Sequence, residues 1–237
     1  MSNHQKKSDL IARFLSPAIK LWVRSQLDSL EDFSIHIEAK DRDILKGKIK
    51  SVTIEAKQVI YKGICVNQAL LNTINIEVNL GSILRGKPLK LLHPIYIVGE
   101  INLNEKDLQE SLKSNLLTQG LTDFVKLLLQ HEAIIETEIF NHNIKWNYIN
   151  LEHNFITLNG NIIKTSSQEK SITIKTKLMI DNSQKLLFDS LYIEGIEEIN
   201  NKTISNFVIN LGNDVELEKL IIDKNHLLCS GKIKVVS

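Results

Sequence analysis

The chain has 237 residues, 43% hydrophobic and 24% charged, with a net charge of +1. That is enough for one large domain or two small ones, and too apolar for a disordered chain. Near-neutral charge and only 5% aromatic residues argue against a nucleic-acid partner and leave a core of Leu, Ile and Val.

The N-terminus, MSNHQKKSDLIARFLSPAIKLW, has lysines but no continuous apolar h-region and no small-residue cleavage site, so it does not read as a secretory signal. No window reaches 18 apolar residues, the length of a membrane span. The two cysteines, Cys65 and Cys229, form no CxxC pair and read as small buried residues. These features predict a cytoplasmic protein, free or peripheral on the cytosolic face of a membrane. Residues 1–7 read as a disordered tail.

Residues 8–31 read as helix, with Ser16 as an N-cap and Pro17 at the first helical position. Ile11, Leu15, Ala18, Trp22 and Leu30 fall along one side, and Arg13, Lys20 and Arg24 along another. Through residue 24 the side chains carry five positive charges and one negative. From Phe33 the period becomes two: Phe33, Ile35 and Ile37 alternate with Ser34, His36 and Glu38. Val52–Ile54–Ala56 and Ile74–Ile76–Val78–Leu80 repeat that pattern, as antiparallel strands with one wet face do. Lys46–Gly47–Lys48 and Lys62–Gly63 read as turns. Residues 94–103 make another strand. Asn104 then caps a helix, with Asp107 in the capping-box position and Leu108, Leu112 and Leu116 at helical spacing. After a break near Thr118–Gly120, Leu121, Phe124, Val125 and Leu128 continue the helix. Strands follow at 143–149, 154–164, 170–180, 186–194, 204–211, 215–222 and 226–236. No linker divides the chain, so residues 1–237 read as a single domain. "INIEVNLGSIL" at 74–84 and "FVINLGNDVEL" at 207–217 faintly echo each other, as two similarly built segments would.

"GSILRGKP", residues 81–88, resembles a phosphate-binding loop with its last letter changed. Pro88 stands where a Ser or Thr hydroxyl would hold Mg²⁺, and Pro94 leaves little room for the helix that should follow. No nucleotide is expected there. The stretch instead carries Arg85, Lys87 and Lys90 among Leu84, Leu89, Leu91 and Leu92, which suits phospholipid headgroups as well as a solvated loop. His131, His142 and His153 lie eleven apart, a spacing that fits no single-element metal site, and no metal is expected. Asp41–Arg42–Asp43 and Glu197–Glu198 read as solvated charge in turns. Neither GxSxG nor HExxH occurs, and no enzyme class or cofactor follows.

"LSPAIKLWVRSQL", "DILKGKIKSVTIEAKQVIYKGI", "INIEVNLGSILRGKPLKLLHPI" and "FVINLGNDVELEKLIIDKNHLLCSGKIKV" together resemble the LmeA-like phospholipid-binding family, most strongly its cyanobacterial branch, over about residues 8–236. NLG-x-x-L-x-GKPL is the most specific part, and its proline is expected in that family's turn. The resemblance implies an α+β fold similar to the tubular lipid-binding (TULIP) proteins: a long, strongly curved antiparallel sheet wrapped around an N-terminal and a middle helix, with an apolar groove for lipid. Actinobacterial members act outside the inner membrane behind a signal or anchor, and neither is read in this chain.

The resulting expectation is a non-enzymatic, peripheral protein that binds phospholipid or another acyl-chain lipid. Ile11, Phe14, Leu15, Trp22, Leu121, Phe124 and Leu128 are the expected groove residues. Arg13, Lys20, Arg24, Arg85, Lys87 and Lys90 are expected to meet headgroups of an anionic membrane. The rival is a structural adaptor whose interior is filled by its own side chains.

Overall fold

The computed structural model describes residues 14–134, 143–163, 169–199 and 202–236. Helix α1 (Ser16–Ser25) is followed by strand β1 (Ser29–Glu38), a one-turn helix α2 (Asp41–Ile44), and the long hairpin β2 (Lys48–Tyr61) and β3 (Ile64–Glu77). A second one-turn helix, α3 (Leu80–Ile83), leads to β4 (Ile95–Asn104), α4 (Glu105–Ser111) and α5 (Asn115–His131). The remaining strands are β5 (Asn143–Glu152), β6 (Phe155–Ile163), β7 (Glu169–Asn182), β8 (Lys185–Glu194), β9 (Lys202–Ile204), β10 (Phe207–Asn210), β11 (Val215–Asp223) and β12 (His226–Val235).

The strands form two antiparallel sheets, where the resemblance implied one. The first runs β1-β2-β3-β4-β12-β11. The second runs β10-β8-β7-β6-β5, with β9 beside β8. Neither closes on itself. The sheets meet at β11, whose outer edge is satisfied by hairpin turns. Asn154 N donates to Ile222 O (2.9 Å) and Leu217 N to Ser183 O (2.5 Å). A strand edge met end-on by two turns cannot extend the ladder, so the first sheet stops there.

Two helix boundaries differ from expectation, and the strand expected over 204–211 is split into β9 and β10 around Asn206, whose φ is 60°. Helix α1 ends at Ser25, and Leu30 belongs to β1. Ser25 Oγ turns back onto Trp22 O (2.7 Å), and Asp28 is drawn into the hairpin tip, its N donating to Ile60 O and its carboxylate accepting from Gly63 N (2.7 Å). Local side-chain bonds of this kind compete with helix continuation. Pro17 lies in the first turn, but Ser16 makes no capping bond. The second break falls at Leu112–Ser114, not at Thr118–Gly120. Ser114 Oγ accepts from Leu117 N (3.1 Å) and restarts the helix, and α5 runs through Gly120. The Asn104–Asp107 capping box forms as expected, with both bonds at 2.9 Å.

Lys62 and Gly63, at φ 48° and 76°, make the two-residue turn of the β2–β3 hairpin. A Cβ on Gly63 would lie 2.6 Å from Ser114 Cβ, so glycine also admits the α4–α5 corner against this tip. Helix α4 fastens the two sheets together. Ser111 Oγ accepts from Cys65 N on β3 (2.8 Å). From the same helix, Gln109 Nε2 donates to Asn147 O (2.7 Å), Gln109 Oε1 accepts from Ile149 N (3.1 Å), and Glu105 Oε2 accepts from Leu151 N (2.8 Å). These side chains supply the pairing that a neighbouring strand would give to the open edge of β5.

Two apolar clusters result. In the first, Leu15 and Ile19 of α1 pack with Ile37, Val52 and Ile76 of the first sheet and with Ile44 and Ile83 of the short helices. In the second, Phe124, Val125, Leu128 and Leu129 of α5 pack against Trp146, Leu158, Ile174 and Ile193 of the second sheet.

Candidate functional site

Residues directly paired across antiparallel strands project from the same face. On the first sheet one such row is Phe33–Ala56–Ala69–Ile101–Cys229–Leu220, one residue from each of the six strands. The next is Ile35–Ile54–Leu71–Gly99–Gly231–Leu217. All twelve positions are apolar. Phe33, Leu71, Ile101, Cys229, Leu217 and Leu220 are half-buried and belong to neither cluster. The result is an apolar strip across the inner face of the first sheet, beyond the part that α1 covers. Small residues at Ala56, Ala69, Gly99 and Gly231 run diagonally through its middle; a Cβ on Gly99 would lie 2.7 Å from Leu71 Cδ2 and one on Gly231 2.3 Å from Glu216 O, so both glycines make room for neighbours in the next strand. Burial pushes the Cys229 thiol above its ordinary pKa, as an apolar setting should.

The opposite face of the same strands is mixed. Glu55, Lys57, Asn72 and Glu100 stand there, and Leu70 and Val98 are largely open to water. The asymmetry assigns the inner face to apolar contacts.

The GKP stretch forms a built turn at one end of this sheet. Asn79 clamps it: its Nδ2 donates to Pro88 O (3.0 Å) and its Oδ1 accepts from Lys90 N (2.7 Å). Gly86 takes φ 74°, and the returning chain bridges Leu91 to Val78 before entering β4. The segment after Lys87 is therefore extended, whereas a phosphate loop would open a helix there. Leu89 and Leu91 are buried in the first cluster, which leaves Arg85, Lys87 and Lys90 exposed on the turn. Glu77, close by in sequence, pairs with Lys48 and His93.

The residues singled out from sequence divide between the clusters. Ile11 and Arg13 lie outside the described residues. Leu15 is buried in the first cluster, Trp22 is half-buried against it, and Phe14 is 39% exposed. Lys20 and Arg24 are exposed on the outer side of α1. Phe124 and Leu128 are buried in the second cluster, with Leu121 half-buried against it. The Phe124 ring lies 4.8 Å from Phe188 and 5.9 Å from Phe207 between centroids, a packed aromatic contact. The two helices thus pack on different sheets, and their apolar faces do not meet in one cluster. The strip residues Leu71, Ile101, Cys229 and Leu220 were not singled out from sequence.

A sheet that keeps twelve apolar positions together and leaves six of their side chains half open is suited to a long apolar ligand. The match to a family model for LmeA-like phospholipid-binding proteins spans residues 7–232. The chain belongs to the LmeA-like phospholipid-binding family. No curated protein and no solved structure matches it. In this LmeA-like protein the strip offers an apolar surface and the turn carries the exposed cations Arg85, Lys87 and Lys90. Among the described residues no helix is long and apolar enough to cross a membrane, and no group of three metal-ligating side chains comes together.

Proposed function

We propose that this LmeA-like protein holds a phospholipid with its acyl chains along the inner strip of the first sheet. The half-open apolar rows are the observation that carries this reading. Each methylene moved from water onto such a surface contributes about 0.8 kcal/mol. Lys20, Arg24, Arg85, Lys87 and Lys90 are exposed and would meet anionic headgroups, each contributing about 1 kcal/mol at a charged surface. The protein then works as a non-enzymatic lipid carrier or holder, peripheral on the cytosolic face of a membrane.

The adaptor reading, with no lipid, draws on the filled space beneath α1 and α5, where Leu15 and Leu128 are almost fully buried. Native mass spectrometry of the purified protein, followed by solvent extraction, separates the two. The lipid reading expects a phospholipid mass adduct that extraction removes. A bare chain that also takes up no lipid from vesicles supports the adaptor.

A further inference from the structure

The inner face of the first sheet carries one hydroxyl where the strip meets the α1 cluster. Thr73 pairs with Val52 on one side and Ile97 on the other, in the row next to Leu71 and Gly99. Its residue exposure is 9%, and its Oγ1 is shut from solvent without a hydrogen-bond partner. The other such oxygen among the described residues is Asn102 Oδ1. Asn102 neighbours Ile101 in β4 and so projects from the opposite face. A buried hydroxyl with no partner is destabilising, and valine has nearly the same shape without that cost. Among Ile37, Val52 and Ile97, a valine would be the expected residue.

The position of Thr73 gives the hydroxyl a use. Along β3, Ala69 and Leu71 lie on the strip side of Thr73, and Val78, bridged to the basic turn, lies on the other. Val78 follows Asn75, whose φ of 55° breaks the extended backbone, so it lies at most about 17 Å away. A diacyl phospholipid has its carbonyl oxygens in that order too, between chains and headgroup. Resting on the reading that the strip holds acyl chains, we propose that a lipid entering the strip parts the side chains over Thr73, and that Thr73 Oγ1 then donates a hydrogen bond to an ester carbonyl of the bound lipid. Thr73 then sets the depth of the lipid and favours ester-linked over ether-linked chains. An ether oxygen is a poorer acceptor than an ester carbonyl and lies elsewhere along the chain.

The test compares dioleoyl phosphatidylglycerol with its dialkyl ether counterpart, each displacing a fluorescent phospholipid from the full-length protein. The native protein should prefer the ester by about five-fold, the scale of one net hydrogen bond. Thr73→Val should bind both lipids equally, with an unfolding temperature unchanged or raised. Thr73→Ser should keep the preference. An ester preference that survives Thr73→Val overturns the proposal, as does equal binding by the native protein. A lower unfolding temperature for Thr73→Val also overturns it, because the hydroxyl would then be bonded within the protein. Failure of the native protein to bind either lipid overturns the reading of the strip itself.

Discussion

Ile101→Glu is expected to abolish lipid uptake while leaving a folded protein. Ile101 sits mid-strip between Ala69 and Cys229, and its side chain is half open to water. In the unloaded protein a glutamate there can reach solvent, so the stability cost should stay near 1 kcal/mol, as for other partly exposed sites. With an acyl chain laid across it, the same carboxylate loses its water without gaining a partner. A penalty of about 3 kcal/mol, low for a desolvated charge, weakens uptake about a hundred-fold. Val98→Glu is the matched control. Val98 lies on the opposite face of β4 between Asn72 and Lys232, 47% exposed, where a carboxylate gains a cation. That variant should take up lipid as the native protein does. The assay is transfer of a fluorescent phospholipid from vesicles, with circular dichroism to confirm folding. Equal uptake by the native protein and both variants would remove the strip from the lipid path.

Leu128→Ala should do the reverse. Leu128 has no exposed surface and is enclosed by the second cluster, so truncation leaves a cavity and costs about 4 kcal/mol. Phe124→Ala, which removes a ring packed against Phe188 and Phe207, should cost about as much. Both losses are a large fraction of a typical folding free energy. Urea denaturation measures them, and lipid uptake by the molecules that remain folded should be near native. Had this helix face walled the lipid groove, truncation would be cheap and uptake would fall. A cost under about 1 kcal/mol for Leu128→Ala would therefore restore α5 to the binding site.

Most of the elements were legible from short-range patterns. Alternation marked β1, β2, β3 and β7, the Asn104–Asp107 pair marked the start of α4, and Lys62–Gly63 marked the hairpin turn. The end of α1 was not legible, because what stops it is Asp28 bonding to a turn 35 residues later. Nor was the division into two sheets, since periodicity gives the face of each residue but not its neighbour across the ladder. The candidate site suffered from the same limit. Leucine-rich helix faces draw attention in sequence, and here they are the parts best covered by partners. The strip is assembled from two residues of each of six strands, four of its positions being Ala or Gly, and only the register brings them into rows. The basic turn was legible as residues, but the Asn79 clamp that shapes it was not.

The most direct test of the account is photo-crosslinking with a phospholipid that carries a diazirine along one acyl chain, followed by peptide mapping. The account predicts adducts on the inner face of the first sheet, at Leu71, Ile101, Cys229 and Leu220, and their loss in Ile101→Glu. Adducts confined to Phe124, Leu128 and their neighbours on α5, with the strip unlabelled, would contradict it.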